Sequence, residues 1–273
     1  MPYLTGKALL QAMADTPAPP ASATMWWLGQ MGFAIKLRGL MLYIDAYLSE
    51  SAHRLMPPPL RPAEIANADL VFGTHDHSDH IDRRAWPLIA GASPTCRFVV
   101  PRLHMENLAQ TLNISPARFI GVDDGETVDL HGLRVTGIAA AHEILSPDPA
   151  TGRHPFLGYI FEYDDIAIYH AGDTCKYDGL ETRLKCRPLT AAVLPINGRD
   201  APRLSSGCIG NMVYQEAADL AGAIKPKITI PGHFGMFASN TEDPQKFFAY
   251  MRVKYPDLRV AIPHLAEPLM ITA

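Results

Sequence analysis

The stretch Thr74-His75-Asp76-His77-Ser78-Asp79-His80-Ile81 gathers three histidines and two aspartates on one short loop. Neutral imidazole and carboxylate are the side chains that hold first-row divalent metals, so the loop is a candidate for metal chemistry. The apolar run Ala68–Gly73 in front of it reads as a short buried strand, with the cluster in the turn at its carboxyl end. A site for two ions needs more donors than this loop offers. Three later places supply them: Ala139-Ala140-Ala141-His142-Glu143, Tyr169-His170-Ala171-Gly172-Asp173-Thr174 and Ile230-Pro231-Gly232-His233-Phe234. Each puts a His or Asp where an apolar run stops, the position from which layered sheets present side chains to a common rim.

The elements that must position these residues are legible in outline. Thr5–Ala14 has helical spacing of Ala8, Leu9, Ala12 and Met13. A stiff Pro-rich connector over Thr16–Ser22 follows, so residues 1–23 read as a helix laid on the domain or a contact between copies, then a linker. Thr24–Leu28, Phe33–Leu37 and Leu40–Asp45, separated by Gly-containing turns, read as an antiparallel meander whose third strand aims Asp45 at the site. Asp82–Ile89 reads as a helix, with Asp82 either capping it or supporting a ligand histidine. Strands are expected at Arg97–Pro101, Phe119–Val122, Glu126–Leu130 and Leu133–Ala140. A hairpin is expected over Leu157–Tyr163 and Ile166–His170, and further strands at Ala191–Ile196, Ile228–Pro231, Arg259–Ile262 and Pro268–Ile271. Helices are expected at Leu103–Leu112, Met212–Ile224 and after Asp243-Pro244. The Pro- and Asp-rich segment Ser146–Pro155 reads as a lid over the cleft. This order fits two sheets packed face to face with helices outside, an α+β, four-layer αββα sandwich, and 1–273 reads as a single domain.

Composition bounds the function. The 273 residues carry 48% hydrophobic and 19% charged side chains, the balance of a globular chain able to bury a large core. A net charge of −4 gives no electrostatic footprint for nucleic acid, so none is expected as a partner. Cys96, Cys175, Cys186 and Cys208 show no C-x-x-C spacing, which argues against a disulfide framework and for reduced thiols in the cytoplasm. No signal peptide is evident, and no apolar run is long enough for a spanning helix.

In this order and at these separations, His-x-His-x-Asp-His, then His, Asp-after-Gly and Gly-His resemble the metallo-β-lactamase superfamily, and the structural counterpart covers nearly the whole chain. The resemblance implies that His75, His77 and His142 hold one metal, Asp79, His80 and His233 a second, and that Asp173 bridges them. It implies two divalent ions, zinc or manganese ahead of iron, and a hydroxide shared between them as nucleophile, oriented by Asp79 or Asp173. Within the superfamily, Trp27–Ile35, Gly73–Asp82 and Tyr169–Thr174 look like the ascorbate-6-phosphate lactonase group, with Asn197-Gly198-Arg199 and Ile230–Phe234 where that group has its later motifs. That implies a cytosolic enzyme opening a lactone, or cleaving an ester, of a small anionic substrate. His142 departs from the pattern, because those lactonases tend to carry a carboxylate there. A His is closer to the superfamily at large, including phosphodiesterases that cleave N-acyl phosphatidylethanolamine, and phosphodiester cleavage is the alternative.

Arg199 and Lys176 are the candidates for an anionic tail of the substrate. Asn197 belongs to the same motif piece as Arg199, and His170 suits either core packing or substrate contact. A redox diiron protein would place an acidic residue where this chain has His77. A nuclease would want a basic surface or an RNA-binding insertion, and a non-catalytic module would be expected to have lost ligands. A homo-oligomer is compatible with the sequence.

Overall fold

The computed structural model describes residues 3–273. Helix α1 (Gly6–Asp15) is followed by β1 (Ser22–Gly29), β2 (Gly32–Leu37) and β3 (Leu40–Ile44), the antiparallel meander expected from the turns, with registers such as Met25↔Ile35 and Ile35↔Leu42. The connecting turns close because Gln30 and Arg38 take left-handed backbone, φ 51° and 55°. The chain then switches to parallel pairing. β4 (Leu70–Phe72), α2 (Trp86–Ala92), β5 (Arg97–Pro101), α3 (Met105–Thr111) and β6 (Phe119–Val122) extend the sheet beyond β3.

A second sheet opens with the antiparallel strands β7 (Thr127–Leu130), β8 (Leu133–Ala139), β9 (Leu157–Tyr163) and β10 (Ile166–His170). After α4 (Leu180–Lys185) it continues in parallel with β11 (Ala191–Pro195). Helices α5 (Ala201–Ser205) and α6 (Tyr214–Ile224) precede β12 (Ile228–Gly232), and α7 (Pro244–Lys254) precedes β13 (Arg259–Val260). β14 (Pro268–Thr272) returns to pair antiparallel with β1. The described residues thus form two seven-stranded sheets, ordered β14-β1-β2-β3-β4-β5-β6 and β13-β12-β11-β10-β9-β8-β7.

The sheets meet face to face. Phe72 of the first packs edge-on against Tyr159 and Phe161 of the second at 5.7 and 4.9 Å between ring centres. The buried Tyr159 hydroxyl spends its donor on the Gly73 carbonyl at 3.0 Å, so the hydrogen bond that satisfies it also ties the two sheets together. Leu9 and Met13 of α1 share a second core with Trp26, Tyr43, Trp86 and Phe98 on the outer face of the first sheet. Leu180, Leu184, Leu220 and Phe247 of α4, α6 and α7 join the core of the second. The αββα layering is therefore the observed one, and α1 lies on the first sheet.

Lys36 of β2 holds α1 in place: its ammonium donates to the carbonyls of Met13, Ala14 and Thr16 at 3.0, 2.7 and 2.7 Å, the oxygens a helix end leaves without partners. Lys36→Met, which keeps the stem and loses the donors, is expected to cost about 1–2 kcal/mol of stability, read as a lower urea midpoint. An unchanged midpoint would show that the helix end does not depend on Lys36.

Three local expectations shift. The helix after the histidine loop begins at Trp86, because Asp82 winds residues 83–85 into a turn by accepting from Arg84 N and Ala85 N at 3.2 and 3.1 Å. The segment expected as one helix from Leu103 divides into a 3-10 turn over Arg102–His104 and α3. α4 and α5 were not expected, although Asp200-Ala201-Pro202 carries the same acidic cap and early proline as Asp243-Pro244. No helix among the described residues is long and apolar enough to cross a membrane.

Candidate metal centre

The cluster is built where strands of both sheets end. β4 delivers the loop His75–His80, β8 leads to His142, β10 to Asp173 and β12 to His233. Several of these ends turn through left-handed backbone: Asp45 (φ 46°), Glu143 (φ 73°), Gly172 (φ 59°) and His233 (φ 60°). Such conformations are costly for most residues and gather where a side chain must be aimed. At Gly172 the close approach also forbids a side chain, since a Cβ would sit 2.7 Å from the Leu157 carbonyl oxygen and 2.9 Å from Thr74 Cβ. Gly172 is thus what lets Asp173 swing under the histidine loop.

The seven donors expected from the sequence converge. His75, His77 and His142 offer nitrogens within 4.8 Å of one another, and so do the donor atoms of Asp79, His80 and His233. Asp173 lies between the two sets: its carboxylate is 3.3 Å from His80 Nε2, 3.2 Å from His233 Nε2 and 3.9 Å from His142 Nε2. His80 Nε2 and Asp173 Oδ1 are both buried, and neither completes a hydrogen bond within the protein. Buried polar atoms are ordinarily paired, so two that face each other unsatisfied fit a shared cation.

Electrostatics divides the cluster. Burial and the neighbouring imidazoles hold His75 well below the ordinary histidine range, and His77 and His142 shift the same way with burial as the leading cause. Neutral imidazole is the form that binds metal. At His80 burial is outweighed by the carboxylates of Asp173, Asp45 and Asp79, which raise it well above that range. Asp173 is held well below the carboxylate range, because His233 and His80 overcome the effect of its burial.

The support behind the cluster was only partly visible in the sequence. Asp45, fully buried, takes His80 Nδ1 at 2.7 Å, Thr74 Oγ1 at 2.7 Å and Thr74 N at 2.9 Å. It performs the histidine support that the sequence reading offered to Asp82. Asp82 instead ties down the preceding loop, accepting from Leu48 N at 2.9 Å and Ser49 N at 2.7 Å. Gln30 braces His233 at 3.4 Å through its side chain and at 2.9 Å through its carbonyl. Phe156 lies 5.3 Å from the rings of His75 and His142, an apolar wall that no spacing signalled.

The expected substrate contacts are placed elsewhere. His170 is buried, with Nε2 2.8 Å from the Met31 carbonyl and Nδ1 accepting from Gly172 N at 3.3 Å, so it belongs to the core. Lys176 pairs with Glu181 at 2.6 Å. Arg199 forms a two-pronged pair with Glu216 at 2.6 and 2.7 Å, which raises its already high pKa further, and donates to the Asn211 carbonyl at 3.0 Å. Asn197 is buried, hydrogen-bonded to Asn240 and Asn211. His170 and Asn197 are thus buried and paired, while the partly exposed Lys176 and Arg199 each hold a glutamate.

A cavity of about 170 Å³ opens over the cluster, lined by His77, Asp79, His142, Asp173 and His233 and roofed by Gly207–Ile209 and Asn240. It shares Asp79, Cys208 and Asn240 with an outer cavity of about 520 Å³ that includes Tyr47, Ser51, His53, Ser78 and Phe237. Ser146–Pro155, expected as a lid, lines neither cavity, whereas residues 207–209 and 237–240 line one or both. No lysine or arginine among the described residues lines either cavity.

The model of the β-lactamase superfamily domain matches residues 41–234, most of the chain and all seven converging donors. A UPF0173 metal-dependent hydrolase of Lawsonia intracellularis is 28% identical over 242 residues, which are 87% of this chain and 94% of that protein. Among solved structures, Igni18, a metallo hydrolase of the archaeon Ignicoccus hospitalis, superposes with a TM-score of 0.68 at 21% identity, covering 91% of this chain and 98% of that one. An isothiocyanate hydrolase from Delia radicum gut bacteria gives 0.72 at 16% identity, covering 92% and 99%. With the family model matching most of the chain, including strands of both sheets, this protein belongs to the metallo-β-lactamase superfamily.

Proposed function

We propose that the protein is a dinuclear metal-dependent hydrolase that opens a lactone or cleaves an ester of a small molecule. The observation that carries this reading is the pair of donor sets, His75/His77/His142 and Asp79/His80/His233, with the Asp173 carboxylate between them. His and carboxylate donors suit zinc or manganese, with iron third. Divalent ions held there would supply Lewis acidity, acidifying water and stabilising negative charge on the oxygen of an attacked carbonyl. The protein's own part is positional. Asp173, locked between His80 and His233, fixes the floor. Asp79, the more exposed of the two carboxylates that line the cleft, is placed to orient the attacking water and accept its proton. Phe156 closes off one side.

The lining also bears on the substrate. Lys176 and Arg199 line neither cavity and are paired with Glu181 and Glu216, and among the described residues His53 is the one basic side chain of the outer cavity. Tyr47 and Phe237, 6.1 Å apart, and the hydroxyls of Ser51, Ser78 and Ser239 offer apolar surface and neutral hydrogen bonding. A substrate uncharged away from its reacting carbonyl therefore fits better than the phosphorylated lactone implied by the sequence resemblance. Four unpaired cysteines accord with a cytoplasmic setting.

The test is a panel of uncharged lactones and carboxyl esters, phosphorylated analogues and phosphodiesters, assayed on protein reconstituted with zinc or manganese. Turnover of uncharged esters or lactones that EDTA abolishes is expected. Turnover of phosphodiesters alone, or hydrolysis that survives complete chelation, would contradict the reading.

A further inference from the structure

Three asparagines from three separate connections meet beside the cleft. Asn197 follows β11, Asn211 precedes α6, and Asn240 lies between β12 and α7. Asn211 Nδ2 donates to Asn197 Oδ1 at 3.1 Å, and Asn197 Nδ2 donates to Asn240 Oδ1 at 2.7 Å. The relay has a direction. Asn197 and Asn211 are 1% and 0% exposed, so water cannot make up for a missing partner. As oriented, the relay leaves one buried acceptor unpaired, Asn211 Oδ1. Reversing all three amides would instead strand the Asn211 NH2, and buried N–H groups without partners are the rarer defect.

The consequence falls on Asn240. Its carbonyl oxygen is occupied by Asn197, and its NH2 makes no hydrogen bond among the described residues while the residue lines the cavity shared with Asp79, Asp173 and His233. Its loop is held from several directions: Asn240 N bonds the Phe237 carbonyl at 3.1 Å, Gly235 N bonds Thr241 Oγ1 at 2.8 Å, and Arg203 donates to the Thr241 carbonyl at 2.7 Å. Arg199, clamped by Glu216, fixes the far end of the relay through the Asn211 carbonyl. A donor with its acceptor side already occupied, on a braced loop that lines one cavity with the carboxylates, is an oriented dipole rather than a mobile surface amide.

Resting on the hydrolase reading above, we propose that the Asn240 amide is the hydrogen-bond donor to the oxygen of the attacked carbonyl, and that Asn197 and Asn211 are positioning residues that keep its NH2 turned into the cleft. As the carbonyl carbon gains its new bond, the π electrons move onto that oxygen, and the donor strengthens its hold as the charge grows.

Inorganic phosphate, a tetrahedral oxyanion, serves as the probe on zinc-reconstituted protein, by calorimetry and by the side-chain amide resonances of Asn240. In the wild type those resonances should shift on adding phosphate. Asn240→Ala should weaken phosphate binding about tenfold or more at unchanged zinc content, and Asn240→Asp more still. Asn197→Asp, which can only accept and so draws the Asn240 NH2 inward, should reproduce the loss without touching the ligand. On an ester or lactone that is turned over, Asn240→Ala should lower kcat about a hundredfold and KM little. Phosphate binding within twofold of wild type in both Asn240 variants, resonances that do not move, or no phosphate binding to the wild type would each overturn the proposal. Asn240-dependent phosphate binding with no ester or lactone turnover would support the donor and remove the hydrolase reading. Turnover with an unchanged kcat in Asn240→Ala would do the reverse.

Discussion

Asp173→Ala is expected to lower hydrolysis by about a thousandfold or more while the protein stays folded, because it removes the carboxylate that lies between the two donor sets. The size follows from what Asp173 touches. It is the nearest anion to His80 Nε2 and His233 Nε2, at 3.3 and 3.2 Å, and without it neither donor set keeps a shared negative group. The fold should survive because His80 remains held by Asp45 at 2.7 Å and His233 by Gln30, so neither ring is freed when the carboxylate goes. Asp173→Asn, which fills the same space without the charge, separates lost chemistry from lost packing. The checks are kcat on the best substrate of the panel, zinc content and the thermal transition. Both variants should show an ordinary transition, a reduced zinc content and almost no turnover. Wild-type turnover in either variant would remove Asp173 from the mechanism.

The second large effect is expected at Asp45, which lies outside both donor sets. Asp45→Ala removes the acceptor of three buried donors, leaving Thr74 N unpaired and the Thr74 hydroxyl and His80 Nδ1 only each other at 3.3 Å and His75 Nδ1 at 3.1 Å, and should destabilise the protein by about 3–5 kcal/mol. Asp45→Asn is the more informative change. Asparagine tolerates the left-handed backbone at φ 46°, and its carbonyl can still serve Thr74. Its NH2, however, would face His80 Nδ1, which must then become an acceptor and move its proton to Nε2. That nitrogen faces Asp79 and Asp173, and once protonated it can no longer be a metal ligand. The expected result is a metal affinity lower by about tenfold to a hundredfold with stability close to wild type, measured by competition with a chromophoric chelator. Equal affinity in Asp45→Asn would show that the His80 tautomer is not set by Asp45.

These residues also show where sequence reasoning stopped. The histidine loop, His142, Asp173 and His233 were legible because metal donors at strand ends carry their own signal, and the meander and the β9–β10 hairpin because turn residues bracket apolar runs. Asp45 was visible as a strand end aimed at the site, but its partner was not. The His80–Asp45 contact spans 35 positions and exists only because β3 and β4 pair in parallel. Residue type suggests Arg199 and Lys176 as substrate contacts, and the motif shared with Arg199 suggests Asn197. Whether a cation is free depends on which acid the fold sets beside it, and Glu216 and Glu181 are brought there by α6 and α4. His170 precedes Asp173 by three residues, yet strand geometry sends its ring inward to Phe33 and the Met31 carbonyl. Asn240 has no motif around it, and the role proposed for it rests on the Asn197 amide, 43 positions earlier, which Asn211 orients in turn.

The most direct measurement is elemental analysis of the protein titrated with zinc or manganese, run alongside the rate on its best ester or lactone. Two ions bound per chain, with activity appearing as the second site fills and vanishing on chelation, is the result this arrangement of His75, His77, His142, Asp79, His80, Asp173 and His233 requires. Saturation at a single ion, or full activity with none, would contradict it.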